Sequence, residues 1–592
     1  SETAYGLDSD GSLREARRTS YGHTTELDYG TDTTSLRLRR VYKAARVYGA
    51  DESSVPEQYR EILCQTTTLT QGRKLLASVT EKATETNGTL TKTTLYAYDS
   101  YGNVVTKTED VGLPGHDRRV TAYSYPQDMT GGGYTAMASA GMTGVPVETR
   151  VYKNSISGAN LLTTLSTEYS SHPCASGTFI APSSRSLTVR GDASTGRRIL
   201  LNEYDRRGNL LEFEDNDGRR TVYLWGYNGR YPVSAISGSD WSSVKARIDT
   251  SVLNTGTTDV IRQSLDAFRD GWFQTPGVHV STYTHNSLVG LSTATDPSGR
   301  TTGYGYDGLG RLSRTYLADG DAEETVSTHS YRYGAYAGGN RIQTREYLDA
   351  SGASFRETNL YHDRLGRPVE TVRTAASPDG RDIAELSEHD AFGRPCREYR
   401  PVPLTTSTGA YAPFSAVHPE ILKFYNWEVY AFSKTLYEAS PLDRVTEEYG
   451  PGSPWHTRGR SVRTSYLVND GSGLLSCSGY LVESDTSVTC IGTLSSGNLN
   501  VVEVTDEDGN VSLTFTDKLG RKTLERTVDG ERYQDTYYVY DDLGLLRYVL
   551  TPEASAVMSS TGTFGDSSSP LSMQAYVYKY DGKGRCVSER RP

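Results

Sequence analysis

The chain has 592 residues and a net charge of −11, with acidic and basic side chains interspersed, which excludes a basic face for nucleic acid. No apolar run reaches the ~18 residues of a membrane helix, so no membrane span is expected. Hydrophobic residues are only 35%, tyrosine outnumbers phenylalanine 43 to 11 and glycine reaches 58, a composition for a thin sheet packed through tyrosine rings and not for one thick oily core.

Residues 1–60 alternate irregularly, as in Ser35-Leu36-Arg37-Leu38-Arg39, and predict divergent opening strands or a cap. From 61 to 237 short strands alternate with Gly-, Ser- and Thr-rich turns, including a loop at Gly131-Gly132-Gly133. Residues 238–272 break the rhythm. Trp241, Val244 and Ile248, then Ile261, Leu265 and Phe268, fall at helical spacing, and Ser239 or Asp240 stands where a cap belongs. Two short helices are expected there, lying on the sheet or plugging its interior. The sheet resumes from 273 to 592. Residues 401–436, rich in proline and aromatics, predict a long loop or a departure from the sheet, and 552–572 hold one helical turn at Glu553–Met558.

A repeated turn organises the strands. An aspartate, two residues and a glycine recur at Asp99, Asp205, Asp307, Asp363, Asp390, Asp517, Asp541 and Asp581, usually behind tyrosines, as in Tyr304-Gly305-Tyr306-Asp307-Gly308-Leu309-Gly310-Arg311-Leu312. Tyrosines two apart share one face of an extended chain, the aspartate accepts from amides ahead of it, and the glycine supplies the positive φ that closes the turn. Each unit therefore predicts a β-hairpin. A second series is interleaved at Asp215, Asp296 and Asp506, leaving intervals of strand length between turns. The fold class is all-β, a long antiparallel meander with a short helical insertion.

These Tyr-Asp-x-x-Gly-Arg-Leu units, from about residue 90 to 592, resemble the YD repeats of the Rhs and teneurin families. The segments 223–228 and 437–442 also resemble Rhs-repeat proteins of Bacteroidetes-type bacteria. The resemblance implies a sheet that spirals into a hollow shell. It further implies a structural function, enclosing or presenting a C-terminal toxin or effector that this chain does not contain. The expected partners are that effector or neighbouring domains of a longer protein, and the expected location is the cell surface or beyond it. Family members end their shell with a self-cleaving core; Asp296-Pro297-Ser298-Gly299 is similar to its Asp-Pro-x-Gly element but reads as an ordinary turn, and no cleavage residue is carried over.

The search for chemistry is thin. The ten histidines form no His-Glu-x-x-His pair, and His362 and His389 fill the tyrosine position before a turn aspartate. Asp8-Ser9-Asp10-Gly11, Asp215-Asn216-Asp217-Gly218 and Asp506-Glu507-Asp508-Gly509 begin like calcium loops, but none has the glutamate at the twelfth position. No serine elbow or phosphate-binding loop occurs. No catalytic residue, metal ligand or cofactor is assigned, and no enzyme activity is expected. The post-glycine arginines (Arg311, Arg367, Arg394, Arg521, Arg585) are expected to cover tyrosine rings or pair with the turn carboxylates. Cys64, Cys174, Cys396, Cys477, Cys490 and Cys586 are too few for a disulfide scaffold, though Cys477 and Cys490 are close enough to bridge a hairpin. The alternative function is an adhesin or glycan-binding wall using Trp225, Trp241, Trp272, Trp427 and Trp455, with surface glycans or protein receptors as partners.

Overall fold

The computed structural model describes residues 74–592 apart from 114–115, 175–176, 191, 320–321, 335–338, 439–441, 485 and 582–583. Before residue 74 it describes five strands, Glu2–Leu7, Leu13–Thr19, Arg37–Lys43, Arg46–Val47 and Tyr59–Thr68. From Arg37–Lys43 to Cys586–Arg590 the strands pair antiparallel in one file, each with the next along the chain except where an excursion intervenes. Pro395–Tyr399 thus pairs with Phe432–Tyr437 across 400–431, and Val462–Val468 with Asn500–Thr505 across 469–499. Two three-stranded sheets stand beside this ladder.

Asp307 shows how one turn is made. Its N–H donates to the Arg311 carbonyl at 2.9 Å, and its own carbonyl accepts from Gly310 N–H at 2.9 Å. Oδ1 then accepts from the N–H groups of Leu309 and Arg311 at 2.9 and 3.0 Å, while Oδ2 takes Arg311 Nε at 2.7 Å. One carboxylate satisfies the turn's inward donors, which is why aspartate stands there. Arg367, Arg394 and Arg521 repeat the arrangement on Asp363, Asp390 and Asp517. Asn103 and Asn209 replace the arginine on Asp99 and Asp205. Gly310 has φ +75°, whereas Gly308 has no such φ and nothing crowds its Cβ position. Gly310→Ala is therefore expected to cost about 1–2 kcal/mol in denaturant unfolding. Gly308→Ala, in the same turn, should be neutral or slightly stabilising.

The tyrosine before a turn does a second job. Tyr331 Oη donates to the Leu312 carbonyl at 3.0 Å, Tyr437 to Pro395 at 2.7 Å, and Tyr466 to Val445 at 3.0 Å. Each acceptor is the first strand residue after the preceding turn on that edge, so the hydroxyl clasps two neighbouring hairpins. The guanidinium of Arg311 lies 4.3 Å from the Tyr331 ring, Arg394 4.5 Å from Tyr437 and Arg444 4.0 Å from Tyr466. The arginine thus covers a ring as well as pairing with a turn carboxylate.

A meander alternates its turns between two edges. All eight of the tyrosine-type turns fall on one, here the first edge. The turns at Asp215, Asp296, Ser377 and Asp506 fall on the second.

The two faces differ as sharply. Following register from Val222 through Ile236 and Val280 leads to Asn359, Val372 and Ala384, then to Tyr399 and Phe432, and finally to Phe515, Leu524, Tyr537 and Leu550. All three buried clusters therefore share one face. Tyr304 and Tyr306, Tyr538 and Tyr540, and Tyr578 and Tyr580 alternate to the other.

Each cluster is roofed by a segment that interrupts the repeat. The first insertion forms three helices where two were expected: Trp241–Lys245, Thr250–Thr255 and Thr258–Asp270. Asp240 caps the first through Ser243 N–H at 2.9 Å, and Ile261, Leu265 and Phe268 pack on Val222, Leu224 and Ile236. Ile248 lies between helices; Asp249 opens the extra one by accepting from Ser251 N–H. In the second, Phe414–Phe424 is helical despite Pro419 and sets Val417 and Ile421 on Tyr361, Val372 and Phe432. The third roof is composite: the hairpin Ser478–Ser484 and Ser487–Thr493, strand Gly562–Gly565, and helices Pro552–Val557 and Ser569–Gln574.

One further expectation changes, and one open question closes. Gly131-Gly132-Gly133 opens a helix, Gly132–Ser139, and Gly133 lets it lie against the Tyr169 carbonyl, which a Cβ there would meet at 2.0 Å. Cys477 and Cys490 are free, buried thiols, because register sets Cys490 opposite Tyr480 and leaves Cys477 three residues away.

Candidate functional site: the seam of the wall

The ladder curls until strands far apart in sequence meet by their ends. Arg444 Nη1 lies 3.0 Å from Glu85 Oε1, and its Nη2 lies 2.6 Å from Glu438 Oε2. The Asn87 amide donates to the Val468 carbonyl at 2.7 Å and accepts from Val468 N–H at 3.0 Å. Lys518 Nζ reaches Asp110 Oδ2 at 2.8 Å, and Asp542 takes both Lys153, at 3.1 Å, and Arg190, at 3.0 Å. These partners stand 352 to 408 residues apart.

The contacts follow one rule. Glu85, Asn87, Asp110, Lys153 and Arg190 belong to second-edge turns of the early strands. Arg444, Val468, Lys518 and Asp542 belong to first-edge turns of the late strands. The sheet therefore winds as a spiral in which the second edge of one turn rests on the first edge of the next. The seam is driest around Arg444 and Lys518: the side chains of Glu85 and Glu438 are 2% and 4% exposed, and that of Lys518 5%, whereas Arg190 at Asp542 is 46% exposed. Charges paired at that burial have lost most of their hydration, so removing one partner leaves the other unpaired in a low dielectric and is strongly destabilising.

The groups singled out for chemistry are used in packing. Asp215 and Asp506 spend Oδ1 on the amides of their own turns. Among the described residues no three His, Cys, Asp or Glu side chains gather as a metal site; Asp8-Ser9-Asp10-Gly11 lies outside the described residues. His456 is stacked between Tyr430 and Tyr449, with centroids 4.4 and 5.0 Å away, and burial lowers its pKa. Burial pushes the Cys477 thiol up to about 12, so it is no nucleophile at neutral pH. Beside it Arg526 grips Asp535 bidentately, both bonds at 2.7 Å. Asp296 makes an ordinary turn, with Ser298 and Arg300 N–H groups on Oδ1.

The tryptophans divide. Trp225 Nε1 donates to the Leu210 carbonyl at 2.9 Å, and Trp272 is buried beneath Arg247, 3.8 Å from the ring. Trp241 and Trp455 are half-buried. Trp427 is 72% exposed, beside Phe424 at 54% and Val429 at 57%. The seam residues carry no sequence motif; the one signal is the charged residue after the turn aspartate at Lys518 and Asp542.

With this geometry in place, comparison with known proteins gives two family matches. The RHS Repeat family matches residues 289–322, and a domain of unknown function, DUF6443, matches residues 339–468. No curated protein matches the chain. Among solved structures, TcdB2-TccC3 without its hypervariable C-terminal region is 11% identical over 99% of this chain and 33% of its own, with a TM-score of 0.21. TcdB2-TccC3-Cdc42 is 12% identical, over 99% and 34%, also at 0.21. The chain thus spans about a third of the length of the solved chains it matches.

Proposed function

Because the chain belongs to the Rhs/YD-repeat family, we propose that it is a stretch of shell wall in a longer bacterial protein, and that the shell encloses or presents a C-terminal toxin or effector. The observation that carries this reading is the seam. Turns of sheet locked edge to edge, 352 to 408 residues apart, make a wall that can continue beyond one revolution and keep a polypeptide from solvent and proteases. Sequestration is steric and requires no catalytic step from the wall. The partners are the enclosed effector or neighbouring domains, and the place of action is the cell surface or outside the cell.

The test joins this chain to the segment its gene encodes downstream and follows limited proteolysis. The downstream segment should resist cleavage while the seam is intact and become sensitive in Arg444→Met. Cleavage at the rate of the free segment in both proteins would sink the reading. A second reading, a glycan-binding wall, is favoured by the exposure of Trp427. It requires glycan-array binding that disappears in Trp427→Ala, and a blank array counts against it.

A further inference from the structure

The sequence contains two Asn-Gly pairs, Asn87-Gly88 and Asn228-Gly229. Such a pair is chemically labile, because glycine has no Cβ to shield its backbone nitrogen from the asparagine side chain before it. The fold holds the two pairs differently. Gly229 N–H donates to Asn254 Oδ1 at 2.9 Å, which ties up the nitrogen that would attack. Asn254 belongs to a helix of the first roof, Thr250–Thr255, and not to the seam.

Asn87 is held by the seam itself. It stands exposed, within reach of water, in the tight turn between Glu85 and Gly88. Its Nδ2 donates to the Val468 carbonyl at 2.7 Å, and its Oδ1 accepts from Val468 N–H at 3.0 Å. A Cβ on Gly88 would meet Val468 Cγ2 at 2.7 Å, and one on Gly497 would meet the Thr89 carbonyl at 2.8 Å. The seam thus requires at 88 the glycine that makes Asn87 labile.

We propose that Asn87 is a modification site: the closed seam suppresses its deamidation, and opening the seam permits a reaction that then keeps it open. Gly88 N attacks Asn87 Cγ, so the N–Cγ bond forms and the Cγ–Nδ2 bond breaks. Nδ2 leaves as ammonia, carrying the proton from Gly88. Water then opens the cyclic imide. Addition at Cγ gives aspartate, and addition at the Asn87 backbone carbonyl gives isoaspartate, whose chain runs through Cβ and Cγ. While both ends of the amide are fixed on Val468, the side chain is held off Gly88 N. The product does not restore that contact. An oxygen replaces the donor that faced the Val468 carbonyl, so two acceptors meet where a hydrogen bond stood. A new negative charge also joins Glu85, which already shares Arg444 with Glu438. The inference rests on the seam's geometry and not on what the wall encloses.

The test incubates the whole chain and its Arg444→Met variant at neutral pH and follows both asparagines by peptide mapping, with enzymatic methylation to detect isoaspartate. Asn87 should convert about tenfold faster in Arg444→Met, approaching its rate in a free peptide of residues 78–95. Asn228 should keep its wild-type rate, since a different contact protects it. Asn87→Asp supplies the product directly, without waiting for the chemistry. It should accelerate hydrogen exchange in Gly88–Tyr98 and Val462–Val468 and leave the helix Thr258–Asp270 unchanged. Equal rates at Asn87 in the two proteins overturn the proposal. So does a parallel acceleration at Asn228, which would mean general unfolding, and so does wild-type exchange in Asn87→Asp.

Discussion

Arg444→Met is expected to open the wall along its seam, at a cost of about 3–5 kcal/mol. Arg444 bridges Glu85 and Glu438, whose side chains are 2% and 4% exposed, and its guanidinium also lies 4.0 Å from the Tyr466 ring. Methionine keeps the packing volume but removes the cation between two nearly dry carboxylates. Their repulsion then acts in a low dielectric and separates the turn before Gly88–Tyr98 from the turn before Val445–Tyr449. Hydrogen exchange should accelerate in Lys74–Glu85, Gly88–Tyr98 and Val462–Val468, and leave the helix Thr258–Asp270 as it was. Acceleration spread evenly over the chain would mean that the seam is not a separable unit. Asp542→Asn should do less, because its partners Lys153 and Arg190 are 23% and 46% exposed.

Glu370→Gln is expected to remove a pH dependence of stability. Glu370 is 2% exposed, and burial raises its pKa from 4.5 to about 7, against the one opposing hydrogen bond from Ala412 N–H at 3.1 Å. The folded chain holds this proton to higher pH than the unfolded chain does. Its contribution is therefore complete below about pH 4.5 and is lost as pH rises through about 7. The difference amounts to about 3 kcal/mol by pH 8. Glutamine keeps the shape and cannot ionise, so the two proteins should be equally stable at pH 4 and the variant more stable at pH 8. Parallel curves from pH 4 to 8 would show that Glu370 is solvated in the folded chain.

Both predictions concern residues that sequence reading passed over, and for the same reason. Glu85, Arg444 and Glu370 are ordinary charged residues at strand ends or within strands, and nothing local marks them. The turns could be read directly. Asp307, Gly310 and Arg311 complete one another within five residues, so their chemistry is written in order along the chain. Helical spacing likewise exposed Ile261, Leu265 and Phe268, but not the short helix Thr250–Thr255, where only Leu253 is buried and no periodicity can show. The stretch 401–436 was visible as a break and opaque in kind, because Pro419 argues against the helix that Val417 and Ile421 nevertheless earn by packing. Whether Cys477 and Cys490 bridge was open in the sequence and is decided by register: three residues of offset put the thiols on different neighbours.

By itself the sequence determined the all-β class, the antiparallel order, the turn at each Asp-x-x-Gly and the face shared by each tyrosine pair, since all of these rest on interactions within a few residues or between adjacent strands. Only the tertiary structure decided that the tyrosine-type turns crowd one edge, that the insertions roof one face, and that the second edge of an early turn settles on the first edge of a late one. Each strand is rotated from its neighbour by roughly 20–25°. Where residue 85 meets residue 444 depends on that rotation summed over the whole run of strands between them, bulges and excursions included. No local pattern encodes such a sum, so the seam, and with it the wall, appears only when the chain is folded.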